Sequence, residues 1–254
     1  MEKVLLQLIW LPAAGGALCL ILLRVKGAES FIDWIRRLIM LFVSAYTLYL
    51  GWLIFKNPQV YIVVGTVGIG SLSTRLILRA TPLAALMVLF TCFFAFLTSI
   101  FSMKYRSGEM HNNWYYAMAL GVLSAANAVF FAGDFLTFTI FWEISTLFLF
   151  GLIALGNNEK TPFAAAKTLV ILGLAEAGML FAIAYIWVTH GTLVFTDISL
   201  PLNSTINIIL YFLIASAALA KAGAIPLHSW MPTASEGAPT VIMAYLPASV
   251  DKLM

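Results

Sequence analysis

Charge is scarce in this sequence. Only 10% of its 254 residues are Asp, Glu, Lys or Arg, and 62% are hydrophobic, against about 25% charged and about 45–50% apolar in an ordinary soluble domain. A water-soluble fold is excluded, because none hides that much apolar surface. The 14 Lys and Arg against 11 Asp and Glu leave a net charge of +3. With no Lys/Arg run there is no basic nucleic-acid patch, and the modest excess reads as loop charge at a membrane surface. Cysteine is nearly absent. Cys19 and Cys92 both lie inside apolar blocks, which argues against a disulfide framework, leaves the redox compartment open and suits small packing residues. No CxxC pair, Gly-rich nucleotide loop or His-rich cluster occurs, so no cofactor or metal is expected in this chain.

What is present is a series of apolar blocks of about 20 residues, the length that crosses a hydrocarbon core of about 30 Å at about 1.5 Å per residue. Spans are expected at 4–23, 38–55, 83–103, 114–133, 135–155, 162–188 and 207–225, with an incomplete one from 239. The first block has the look of a signal peptide, but its apolar run continues to Leu23 before Arg24, too long for a signal-peptide core, so it reads as a retained span. Between the second and third spans, VYIVVGTVGIGSLSTRLIL is rich in β-branched residues and broken by glycine, the pattern of a short hairpin outside the bilayer.

Orientation follows from loop cations. With the N-terminus outside, Arg24, Lys26, Arg36, Arg37, Lys104, Arg106 and Lys160 fall inside, against Lys3, Lys56, Arg75 and Arg79 outside, which favours that topology. The block from Pro239 to Met254 ends after 16 residues with no polar flank. The expectation is that more membrane sequence belongs after it or beside it.

Four ionisable residues lie where a membrane disfavours them, since one at mid-bilayer costs about 2.5–3.5 kcal/mol on insertion scales and persists where it faces a partner, a cavity or an ion path. Glu143, nine residues beyond Asp134, lies about 13 Å into its span, near the midplane. Lys167, seven residues beyond Lys160, is about 10 Å deep, which also leaves it able to snorkel to the inner surface. Lys221 lies far into the seventh block, just before Gly223 and Pro226, residues that interrupt a helix. Such a break survives in a membrane only where protein or water satisfies the freed backbone groups, so the lysine and the break point at one hydrated spot. The alternative is a helix end whose cation complements the dipole.

His228 follows in PLHSWMPTASEGAP; its unperturbed pKa of about 6.5 suits proton exchange, although a lone histidine is commonly structural. Lys252 would lie about 20 Å into a completed eighth helix. Glu176, nine residues from Lys167, is about 180° around the helix from it, so the two do not share a face, and Glu176 stays outside the candidate path. Burial opposes charge on both a Glu and a Lys while pairing favours both charged forms, so Glu143 and Lys221 together have the makings of a proton switch.

GDFLTFTIFWEIS and KAGAIPLHSWMPTASEGAPT resemble the fifth-helix and seventh-helix motifs of the antiporter-like subunits of respiratory complex I, shared with membrane-bound hydrogenases and multisubunit cation/proton antiporters. AYLPASVDKLM is nearest to the hydrogenase-type branch. The resemblance implies an all-α polytopic membrane protein holding helices one to seven and part of eight, with a broken seventh helix. It divides the chain into residues 1–113, the first three helices and the hairpin, and 114–254, a first and incomplete channel repeat.

The resemblance also assigns Glu143 as the acidic partner, Lys221, Lys167 and Lys252 as the lysines of helices seven, six and eight, and His228 as the loop histidine. The implied function is proton translocation in a redox-driven complex of a prokaryotic cell membrane. The implied partners are other membrane-arm subunits and peripheral electron-transfer subunits, with no redox or hydrolytic chemistry in this chain. A subunit of a multisubunit Na⁺/H⁺ antiporter, or a scaffold subunit without transport of its own, are the alternatives.

Overall fold

The computed structural model describes residues 1–25, 27, 29–70, 72–104 and 114–245. Lys252 and most of the eighth block lie outside the described residues, as do the loop cations Lys26 and Arg106. Among the described residues seven apolar helices follow one another: α1 (Glu2–Leu22), α2 (Glu29–Lys56), α3 (Pro82–Lys104), α4 (Tyr115–Phe131), α5 (Phe135–Ala154), α6 (Thr161–His190) and α7 (Thr205–Lys221). Two short helices follow, α8 (Trp230–Gly237) and α9 (Thr240–Tyr245). α1, α2, α3, α5 and α6 are long and apolar enough to cross a membrane, and α4 and α7 are shorter apolar helices. The protein is an integral membrane protein.

α4 is the axis of the bundle. It is rich in Ala, and nearly every residue along it is buried against α1, α3 and α5. Small side chains let helix backbones approach closely where lipid supplies no hydrophobic drive for association. Two of its polar residues clamp α1. Pro12 lies inside α1 and has no N–H for the carbonyl four residues earlier, which is that of Leu8. Asn127 Nδ2 donates to that carbonyl at 2.9 Å, and Ser124 Oγ donates to the carbonyl of Ile9 at 2.7 Å. The proline thus leaves no unsatisfied acceptor in the bilayer.

The hairpin forms as the sequence indicates: β1 (Val60–Ile69) pairs antiparallel with β2 (Leu72–Ala80), with a bulge between Val63 and Gly65. It is docked on the end of the bundle where α5 begins. Gly133 N donates to Ile77 O at 2.8 Å, and a Cβ on Gly133 would stand 2.6 Å from Ile77 Cγ2, so only glycine fits. Asp134, fully buried, caps α5 by accepting from Thr137 N and Thr137 Oγ1, and also accepts from Ile77 N, each at 2.7 Å. One carboxylate therefore starts the helix and holds the strand.

Two helix ends depart from the expected spans. α2 starts at Glu29, nine residues before the expected 38. Its extra turns carry the Asp33–Arg37 pair at 2.7 Å, one helical turn apart, and Arg37 also donates to the carbonyl of Met103 on α3 at 2.8 Å. α7 ends at Lys221, four residues before the expected 225. The stop is a Schellman motif: Gly223 adopts φ +68, its N–H donates to Ala220 O, and Ala224 N donates to Leu219 O. The left-handed conformation is cheap for glycine alone.

Candidate functional site

Because α7 stops where it does, the Lys221 side chain emerges level with the middle of α5. Its ammonium donates to Ser145 Oγ at 2.6 Å, to Thr146 Oγ1 at 2.9 Å and to the Trp142 carbonyl at 3.3 Å. It also lies 4.2 Å from the centroid of the Trp142 ring. Lys221 is 1% exposed. Trp142, Ser145 and Thr146 share one helix face because positions three and four apart are neighbours on a helix surface. This face holds a dehydrated ammonium with oxygen acceptors and an aromatic ring, the groups that compensate a buried cation.

Glu176, in the middle of α6, places a carboxylate within ion-pair distance of Lys221, with Nζ to Oε1 at 3.9 Å. Glu176 is 2% exposed. Its Oε1 accepts from Trp142 Nε1 at 2.8 Å and from Thr146 Oγ1 at 2.6 Å. Charge on this pair is thus spread over two hydroxyls, an indole N–H and an aromatic face, in a site closed to solvent.

Glu143 sits beside this cluster. One position beyond Trp142 on α5, it points about 100° around the helix from it. It is close enough to Glu176 and Lys221 for their charges to act on it. Its Oε1 is buried with no hydrogen-bond partner, a bare acceptor next to a hydrogen-bonded acid. Lys167 is turned elsewhere: its Nζ donates to Thr233 Oγ1 of α8 at 2.8 Å, 5.9 Å from the Phe163 ring centroid. His228 lies in a single 3-10 turn between α7 and α8, exposed, its imidazole without a hydrogen bond among the described residues. Lys252 lies outside the described residues.

The segment after α7 is fixed to the start of α6. Trp230 Nε1 donates to the Ala220 carbonyl at 2.8 Å. Thr161 Oγ1 donates to Gly237 O at 2.7 Å, and Asn158 Nδ2 donates to Glu236 O at 3.1 Å. Lys160 and Glu236 form an exposed ion pair at 2.7 Å, and the hydrogen bond from Lys160 holds the Glu236 carboxyl below its ordinary pKa.

Residues 132–253 match the family model described as NADH:quinone oxidoreductase/Mrp antiporter, transmembrane, a stretch that contains every candidate site residue above. The segment that carries the site belongs to this family of antiporter-like membrane subunits. This antiporter-like subunit is 23% identical over 258 residues to a Na(+)/H(+) antiporter subunit of Alkalihalophilus pseudofirmus, an alignment spanning 100% of this chain and 51% of that protein. It is 26% identical over 179 residues to an NADH-quinone oxidoreductase subunit of Desulforudis audaxviator, covering 68% of this chain and 35% of that protein.

In structure the antiporter-like subunit superposes on a chain of the membrane-bound sulfane sulfur reductase, an archaeal respiratory membrane complex. The TM-score is 0.85 at 22% identity, over 99% of this chain and 51% of that one. The likeness establishes the fold. The antiporter-like subunit spans about half the length of these relatives, or less.

Sequence reasoning singles out Lys221 and Glu143 but passes over Glu176, Thr146, Ser145 and Trp142. The signal for Glu176 was its depth in an apolar 30-residue helix. Comparing it with Lys167 on its own helix hid the partner it meets on another.

Proposed function

We propose that this chain is a proton-translocating subunit of a redox-driven, ion-pumping membrane complex, in which Lys221 gains and loses a proton as its counter-charges rearrange. The observation that carries the reading is Lys221 itself: a fully buried lysine at a helix break, held by two hydroxyls, an aromatic face and a carboxylate 3.9 Å away. An ammonium in such a site stays charged only while its partners stay in place. Glu143, beside the pair with one bare buried oxygen, is the acid toward which the proton path continues. Lys167, His228 and Lys252 are relays toward the rest of the membrane arm.

In this reading residues 1–113 frame the channel half formed by 114–254, the N-terminus faces outward, and other membrane-arm and electron-transfer subunits complete the machine in a prokaryotic cell membrane. The test is proton uptake by proteoliposomes holding the intact complex, with dithionite-reduced viologen as electron source, for native protein, Lys221→Met and Glu143→Gln. Assembly and electron transfer should persist while uptake is lost. Normal uptake in both variants would leave this chain as a scaffold.

A second reading is a subunit of a Na⁺/H⁺ antiporter, favoured by the antiporter relative whose alignment spans the whole of this chain. There a sodium gradient alone, with no electron source, would move protons.

A further inference from the structure

Thr146 occupies the space between two buried ionisable groups of opposite sign. Lys221 Nζ donates to its hydroxyl at 2.9 Å, and the hydroxyl donates to Glu176 Oε1 at 2.6 Å. Nζ and Oε1 themselves are 3.9 Å apart, too far for a direct hydrogen bond. Trp142 Nε1 donates to the same carboxylate oxygen at 2.8 Å and holds it in place. A hydroxyl is one donor and two acceptor lone pairs, so this chain of atoms is already arranged for a proton to enter Thr146 on one side and leave on the other.

We propose that Thr146 and Glu176 form a proton branch from Lys221 toward α6, distinct from the one toward Glu143. The step balances without any co-reactant. The ammonium of Lys221 gives a proton to the Thr146 oxygen while the Thr146 O–H bond breaks and its proton passes to Glu176 Oε1. The products are a neutral amine, an intact hydroxyl and a neutral carboxylic acid. Burial disfavours both charged forms, which lowers the cost of this neutral pair relative to water. Glu143, on which the Glu176 charge acts, would lose a like-charged neighbour when Glu176 is protonated, so the branch also alters the first path. Lys167 takes no part, since its ammonium is bonded to Thr233 on α8. The branch rests on the proposed function, because it needs Lys221 to carry a mobile proton.

The deciding experiment measures proton flux in proteoliposomes holding the intact complex, driven by a potassium–valinomycin diffusion potential and read with an entrapped pH dye. Thr146→Val keeps the side-chain shape and removes the hydroxyl, and should slow flux about a hundredfold. Thr146→Ser should run near the native rate, a rescue that packing alone would not produce. Infrared difference spectra on proton loading should contain a carboxylic-acid C=O band that vanishes in Glu176→Gln and remains in Glu143→Gln. Should Glu176→Gln not assemble, the Val and Ser pair at position 146 decides. Native flux in Thr146→Val, or a band that survives Glu176→Gln, overturns the branch. If Lys221→Met loses flux while Thr146→Val keeps it, the branch falls and the proposed function stands; native flux in Lys221→Met removes both.

Discussion

Trp230 Nε1 donates a 2.8 Å hydrogen bond to the carbonyl of Ala220, the residue immediately before Lys221. The Gly223 N–H already serves that carbonyl in the Schellman stop, and the indole adds a second donor to it from the segment beyond the break. The loop after α7 therefore sets the height of the buried lysine. Trp230→Phe keeps the ring and loses the donor. It should cost about 0.5–1.5 kcal/mol for the one hydrogen bond lost, read as a lower thermal midpoint in detergent, with slower proton flux than a surface variant of equal stability.

The contact between α1 and α4 makes a separable prediction. Asn127 serves the Leu8 carbonyl that Pro12 leaves without its helical donor. Asn127→Ala alone should destabilise the bundle by about 1 kcal/mol. Adding Pro12→Ala restores the backbone N–H for Leu8 O, so the double variant should be more stable than Asn127→Ala. Additive losses in a double-mutant cycle would contradict this account.

Hairpin docking depends on an absent side chain. A Cβ at residue 133 would meet Ile77 Cγ2 at 2.6 Å, so Gly133→Ala should push β2 from the bundle at a cost of about 1–3 kcal/mol. Hydrogen exchange should quicken first at the amides of Ile77 and Gly133, with the Lys221 cluster unaffected.

The Lys160–Glu236 pair gives the α6–α8 junction a pH dependence of known sign. The Glu236 pKa is lowered in the folded protein by its bond from Lys160. Its contribution is therefore present above the unfolded carboxylate pKa, about 4.3, and is lost as pH falls through the lower folded value. The pair is exposed, so the effect should be small and weakened by salt. Limited proteolysis of the 222–239 segment should accelerate below about pH 4.3 in native protein and change less in Glu236→Gln.

Run length and glycine placement made most of the fold legible. Apolar blocks of bilayer length admit only helices whose backbone bonds close internally, and the β-branched stretch between α2 and α3 is set apart by Gly65, Gly68 and Gly70, which break it. Gly223 and Pro226 announced the break after Lys221, though not its register, because the stop depends on Gly223 reaching a left-handed conformation while Trp230 adds a donor to the Ala220 carbonyl.

For the site, an ionisable residue inside an apolar run is legible from one chain segment, which is why Lys221, Glu143 and Lys167 stood out. Its partner is not, because pairing is decided across helices. Trp142, Ser145 and Thr146 are ordinary residues in the sequence; only the packing of α6 against both α5 and α7, which brings the end of α7 to α5, turns their shared face into acceptors for one ammonium and donors to one carboxylate. The sequence by itself determined that this protein lies in a membrane and carries charges there that need partners. The tertiary structure alone decided that Lys221 meets Glu176 through Thr146, because helical periodicity relates residues along one helix and is silent about which faces of different helices come together.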